Sequence, residues 1–149
     1  MKRILPYVLT LGIAATAYAS NSDIAKLVMD NSGKNTKHTE KVDHYGIKIL
    51  PPEGFSNAAL IYNEAKDPAA KVKQHFILEL YTSDKVTVLE DKNADWSFEK
   101  EFVGAGSDEA TQRAVAYDKN TIGSDPSAAS ITVADAVKAQ LEKFIASKK

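Results

Sequence analysis

The chain of 149 residues contains no cysteine. This absence excludes disulfides, thiol catalysis and zinc sites of the cysteine type. It also excludes a lipid-modified cysteine at the N-terminus of a processed product. A domain of about 100–150 residues buries a sufficient core without crosslinks. The fold must therefore be stabilised by the packing of apolar side chains.

Other features are missing as well. The formal net charge is −1, with acidic and basic residues interspersed, so no basic stripe is present for nucleic acid or anionic lipid. No apolar run reaches the roughly 20 residues of a membrane span, and we expect no stable membrane insertion. The serine-hydrolase pattern G-x-S-x-G and the metalloprotease pattern H-E-x-x-H are absent. We therefore expect a protein that is not an enzyme and has no metal or cofactor.

Residues 1–19 have the three parts of a secretory signal peptide. Lys2 and Arg3 form a charged start, and a short apolar stretch follows from Leu5 to Ala15. Ala17-Tyr18-Ala19 then fits the small-x-small rule for cleavage. The pattern predicts cleavage after Ala19 and a soluble product in the periplasm or the medium.

The remainder divides into two parts by composition. Residues 20–43 are predicted to hold a short helix at Ser22–Met29, capped by Ser22, followed by a polar linker at Lys34–Asp43. Residues 44–149 have the alternation of apolar and polar side chains that is typical of one α+β domain.

Five segments of this domain are predicted as strands. For 57–64, alternation favours a strand, although Ser56 could equally cap a helix. The segments are Tyr45–Ile49, Asn57–Glu64, Lys71–Thr82, Val86–Leu89 and Asp95–Val103.

The pattern of these strands predicts one buried and one largely solvated sheet face. A three-residue loop, Ser83–Lys85, would place Val86 and Val88 on the face of Leu78 and Leu80. Trp96, Phe98 and Phe102 alternate, which predicts that they share a core face.

Two helices complete the prediction. Segment 108–118 could form a strand or a helix, and its alanines after Ser107-Asp108 favour the helix. The C-terminal helix is predicted to begin at a Thr132 cap, and its apolar stripe is Val133, Val137, Leu141 and Ile145. The predicted fold class is α+β, an antiparallel sheet of four to six strands with a C-terminal amphipathic helix packed on one face.

The loops are the predicted interaction surface, since glycine-rich loop tips often carry binding residues. Tyr81 follows the polar face of its strand, so we expect it to be exposed. The predicted partner-binding residues are Gly104, Gly106, Ser107, Asp108, Tyr81 and Asp84.

The histidines do not form a recognisable site. His38, Glu40, Asp43 and His44 lie close in sequence, but their spacing fits no metal signature and indicates a solvated linker. His75 has no partner that the sequence can name for acid–base chemistry, so a surface histidine is the simpler interpretation.

Three functional classes remain open. The first is a small exported module that binds a protein, for instance an inhibitor of a hydrolase or a toxin. The second is an accessory component of a cell-envelope assembly. The third is a small hydrolytic enzyme without a recognisable motif. The absence of catalytic motifs, together with the exposed loops, favours the first class.

Overall fold

A computed structural model of the chain describes residues 21–148. Within this range six antiparallel strands pair in chain order, each with the next. The strands are β1 Lys37–His38, β2 Val42–Ile49, β3 Asn57–Ala65, β4 Gln74–Tyr81, β5 Lys85–Asp91 and β6 Lys100–Ala105. The predicted signal segment, residues 1–19, lies outside the described residues.

Within the described part of the chain, three α-helices pack on the two faces of this sheet. Residues 21–31 form α1, and α3 is Ala128–Ser147. Both helices cover one face, where their apolar side chains join the main core with Leu60, Phe76 and Leu78. The short helix α2, Glu109–Ala116, covers the other face beside β5 and β6. The α+β prediction with its C-terminal helix is confirmed.

The local predictions for segments 57–64 and 108–118 are also settled. The first is a strand and the second a helix, as the sequence favoured. The caps differ by a few residues. Asp108 caps α2 by accepting a hydrogen bond from Thr111 N, and Ser127 rather than Thr132 caps α3.

The segment predicted as a polar linker is part of the structure. A 3₁₀ turn forms at Gly33–Asn35, β1 pairs with β2 through Lys37 and His38, and β2 already begins at Val42. Thr39 Oγ1 both donates to Val42 O and accepts from Val42 N, which fixes the turn between these strands. The linker interpretation was wrong because an edge strand can be polar on both faces.

The predicted register of the β4–β5 hairpin is wrong. Thr82 N donates to Lys85 O, so only Ser83 and Asp84 form the loop. With two loop residues instead of three, the side chains of β5 point to the opposite sheet face from the one predicted. Val86 lies opposite Tyr81 and does not share the face of Leu80. Val86 and Val88 therefore pack beneath α2, and the face predicted to be solvated is partly buried.

The strand predicted at Asp95–Val103 begins five residues later than expected. Trp96 has φ +67°, and the buried carboxylate of Asp91 accepts its N–H at 2.7 Å. This turn separates Trp96, which packs against Phe98 in the main core, from Phe102, which lies on the α2 face. The three aromatics therefore do not share one face.

Candidate functional site

An apolar groove of about 540 Å³ lies on the helix-covered face, at the β2 edge of the sheet. α1 begins beside the turn at Asp95–Trp96, where Asn21 Nδ2 donates to Asp95 O. α3 passes the same turn at Ala134, whose O accepts from Trp96 Nε1, and both helices continue to this edge. The groove lies between their C-terminal halves. Its lining residues are Leu27, Asn31, Asn35, Ile47, Lys48, Ile49, Leu50, Val137, Gln140, Leu141 and Phe144.

Two large apolar side chains at this groove remain in solvent. Leu50 is 71% exposed and Phe144 is 47% exposed. Leu50 follows the last residue of β2 and precedes Pro51-Pro52, which lack amide donors and end the strand. Phe144 lies beside the buried stripe of α3, one turn beyond Leu141. A concave surface with an apolar lining and few polar groups is the usual form of a binding site.

The groove adjoins an open strand edge. β1 is only two residues long and pairs with Asp43 and His44 of β2. Further along, Gly46 N donates to Ser32 Oγ at 2.8 Å. Because backbone groups alternate in direction along an antiparallel strand, the main-chain N–H and C=O of Lys48 also point away from β3. Within residues 21–148 these two groups of Lys48 have no main-chain hydrogen-bond partner on the outer side of β2.

The charge of the groove is simple. Lys48 is exposed and is the one charged residue among those that line the groove in the described part of the chain. Its side chain lies on the opposite sheet face from Ile47 and Ile49, because successive side chains alternate along a strand. The β2 edge thus offers apolar contacts on one face and a cation on the other.

The loops predicted as a binding surface lie at the other edge of the sheet. Gly106 N donates to Asp84 O, so the two predicted loops are in contact. Asp84, Ser107 and Asp108 are exposed, whereas Gly104 is buried in β6. A Cβ at Gly104 would collide with main-chain atoms of α2. Gly104 therefore serves the close approach of α2, and it is not available for a partner.

Tyr81 is 1% exposed, so the prediction that it is an exposed contact residue is wrong. Its hydroxyl donates to Glu79 Oε1 at 2.7 Å and accepts from Arg113 Nε at 3.0 Å. Tyr117 donates to the second oxygen, Glu79 Oε2, at 2.5 Å. Glu79, Tyr81, Arg113 and Tyr117 form a polar cluster under α2.

This polar cluster fixes α2 to the sheet. Burial, followed by the neighbouring Glu79 carboxylate, raises the pKa values of Tyr81 and Tyr117 well above the usual range. Both phenols stay protonated donors at physiological pH and are poor nucleophiles. Both oxygens of Glu79 are occupied, and the arrangement therefore stabilises the packing of a helix.

The aromatic residues considered as an exposed platform are largely internal. Tyr62 and Trp96 are buried, and the rings run in contact from Tyr45 through Tyr62 and Phe76 to Trp96. Tyr117 is 45% exposed, but its hydroxyl is held by a hydrogen bond to Glu79.

The histidines lie in separate environments. His38 Nδ1 is 2.6 Å from Asp43 Oδ1, and this hydrogen bond lowers the pKa of Asp43. His44 pairs with Asn63 at 2.8 Å. His75 Nε2 lies 3.8 Å from Glu90 Oε2, beyond hydrogen-bond distance, and burial lowers the pKa of His75. None of these pairs brings a nucleophile to a base.

Three carboxylates that the sequence analysis did not single out meet in the turn between β5 and β6. Asp91, Asp95 and Glu99 each place an oxygen within 4.8 Å of the others. Asp91 is fully buried, and burial raises its pKa to about 7 although the Trp96 N–H bond opposes this. The sequence signal for this cluster is an acidic residue at every fourth position, at Asp91, Asp95 and Glu99. Trp96 N–H and Asn93 N–H already donate to Asp91, so the geometry is that of a turn organised around a buried carboxyl.

The groove residues were also missed as a site. Val137 and Leu141 were expected in the core, but nothing in the periodicity showed that Leu50 and Phe144 would meet across a concave surface. The available signal was weak, consisting of an apolar residue before Pro51-Pro52 and a phenylalanine beside the α3 stripe.

Comparison with known proteins identifies no relative of this chain. No protein-family model matches this sequence, and no curated protein or solved structure shows significant similarity to it. Separately, none of the helices within residues 21–148 is long and apolar enough to cross a membrane.

Proposed function

We propose that this protein is a small exported protein-binding module and that the groove between α1, β2 and α3 holds an apolar segment of its partner. The observation that carries the proposal is the exposure of Leu50 and Phe144 at the rim of an apolar groove. A concave apolar surface bordered by polar groups is typical of the central part of a protein interface.

Export rests on residues 1–19 alone, whose pattern is that of a cleaved signal segment. A partner would then be met in the periplasm or the medium. An inhibitor of a hydrolase or a toxin belongs to this class of protein.

Site-specific photocrosslinking tests the proposal. A photoreactive phenylalanine analogue replaces Leu50 or Phe144 in the exported protein, and the crosslinked product from an envelope extract is identified by mass spectrometry. Ile122 is the matched control position, since it is 90% exposed but does not line the groove. We expect one specific partner from positions 50 and 144 and none from position 122.

The partner is then purified and its affinity measured by calorimetry. Leu50→Asp should weaken binding at least tenfold and Ile122→Asp should leave it unchanged. Equal effects of the two substitutions would place the interface elsewhere. A partner recovered only with the membrane or cell-wall fraction would favour a component of an envelope assembly over a free inhibitor.

A further inference from the structure

The open edge of β2 determines how a partner segment can bind. β2 is eight residues long, but β1 covers only two of its positions, and Ser32 occupies the next outward group at Gly46. The main-chain N–H and C=O of Lys48 are the next outward pair. An unpaired edge of this kind accepts an additional strand through main-chain hydrogen bonds.

The side chains of an added strand would alternate between two environments. Ile47 and Ile49 point toward the helices and line the groove, whereas Lys48 lies on the other face. In an antiparallel arrangement, the residue that exchanges both hydrogen bonds with Lys48 lies directly opposite it on the same face. Its two neighbours would place their side chains in the groove beside Leu27, Leu141 and Phe144.

Charge selects the residue opposite Lys48. Cross-strand pairs of opposite charge stabilise a sheet, and like charges placed directly opposite destabilise it. Among residues 21–148, no carboxylate forms an ion pair with Lys48. A second copy of this chain, paired about Lys48 by two-fold symmetry, would place two lysines opposite each other. A partner with an acidic residue at that position is therefore favoured over self-association.

We infer that the protein binds its partner by strand addition, pairing Lys48 with the acidic residue of an extended apolar–acidic–apolar segment. This inference depends on the proposed function and specifies the chemistry of the partner. Pro51-Pro52 limits the added strand to a few residues, because neither proline can donate a main-chain hydrogen bond.

A labelled peptide tests the inference. The probe is the peptide Thr-Ile-Glu-Ile-Thr-amide with a fluorophore on its N-terminal nitrogen, and binding to the exported protein is followed by fluorescence anisotropy. A second peptide is methylated on the glutamate nitrogen, which removes one main-chain hydrogen bond to Lys48 and keeps every side chain. A third has lysine in place of glutamate. We expect each change to weaken binding about tenfold or more.

Two variants at position 48 separate the contribution of the main-chain hydrogen bond from that of the side-chain charge. Lys48→Pro removes the outward N–H and the charge, and Lys48→Ala removes the charge alone. Proline is tolerated at such edge positions, where no bond to the neighbouring strand is lost, and thermal unfolding of both variants checks the fold. Lys48→Pro should bind the unmethylated peptide at least about fivefold more weakly than Lys48→Ala, corresponding to the loss of one hydrogen bond.

The outcomes distinguish this inference from the proposed function. Peptide binding that is lost in Leu50→Asp but is insensitive to N-methylation and to Lys48→Pro would overturn strand addition and leave the groove as the binding site. No peptide binding, with a partner still crosslinked at position 50, would also overturn strand addition. A dimer in sedimentation analysis that Lys48→Pro disrupts would replace the partner by a second copy and overturn the inference.

Discussion

The hydroxyl of Tyr117, at the C-terminal end of α2, donates a hydrogen bond of 2.5 Å to Glu79 in the C-terminal half of β4. Glu79 is 2% exposed and also accepts from Tyr81. Tyr117 and Glu79 are 38 positions apart in the sequence, so their contact fixes a short helix to a distant strand of the sheet. A buried carboxylate is tolerated here because each of its oxygens accepts a phenol proton.

Removal of this contact should loosen α2. Tyr117→Phe deletes one charge-assisted hydrogen bond, and we expect it to lower the free energy of unfolding by about 1–2 kcal/mol, near the lower end for bonds to charged groups because the ring is partly exposed. Chemical unfolding in urea measures the loss. Val115→Ala on the exposed surface of α2 is the control, and an equal effect of both substitutions would contradict the role assigned to Tyr117.

Gly104 should not tolerate a side chain. A Cβ at this position would overlap Gln112 O and lie 2.6 Å from Ala116 N, both of which are main-chain atoms that cannot move without displacing α2. We expect Gly104→Ala to cost about 1–3 kcal/mol, the usual range for overpacking. Gly46→Ala is the matched control within a strand, since its nearest contact would be an ordinary 3.7 Å to Ile61. Similar melting temperatures for the two variants would show that α2 is not tightly packed on β6.

The buried carboxyl of Asp91 should make stability depend on pH. Burial raises its pKa to about 7 in the folded protein, whereas an unfolded aspartate has a pKa of about 3.9. The folded state therefore binds the proton more tightly. The resulting stabilisation is complete below about pH 4 and is lost as the pH rises through about 7, with a total of at most about 4 kcal/mol.

Asp91→Asn isolates this effect. The amide oxygen can still accept from Trp96 N, but the side chain no longer ionises. Between pH 4 and 8 the wild type should therefore lose more unfolding free energy than the variant does. Comparison at each pH cancels the contribution of His75, whose lowered pKa acts in the opposite direction. Asp125→Asn, on an exposed loop, should show no such trend. A pH-independent difference for Asp91→Asn would contradict the raised pKa.

Cleavage of the N-terminal segment can be tested directly. Expression of the full chain in an export-competent bacterium should yield a soluble product that begins at Ser20, as determined by intact mass and N-terminal sequencing. Ala19→Asp places a charged residue where cleavage requires a small one, and the precursor should then accumulate. A wild-type product that retains Met1 would contradict the signal-peptide interpretation.

Local sequence patterns predicted the elements that depend on neighbouring residues. Alternation at Asn57–Glu64 gave a strand, and the apolar repeat Val137, Leu141 and Ile145 gave the helix that covers the sheet. The same patterns gave wrong predictions where a turn sets the strand register or the start of a strand. The two-residue loop at Ser83-Asp84 reversed the faces of Val86 and Val88, and a single hydrogen bond from Trp96 to Asp91 delayed the start of β6.

The candidate site could be predicted only in part. Ile47 and Ile49 were expected in a strand, and Leu141 in a packed helix, from period alone. Their meeting with Leu50 and Phe144 depends on the angle at which α1 and α3 cross the sheet. That angle is set by distant contacts such as Trp96 Nε1 to Ala134 O, which no local pattern encodes.

Composition and short-range periodicity are enough to predict that the chain folds without disulfides, that it forms an antiparallel α+β fold, and that its N-terminus has the pattern of an export signal. The burial of Tyr81 and Gly104, the two phenol hydrogen bonds to Glu79 and the apolar groove beside the edge of β2 at Lys48 become visible only in the folded chain. Each of these depends on residues far apart in the chain, whose proximity is fixed by strand register and helix packing.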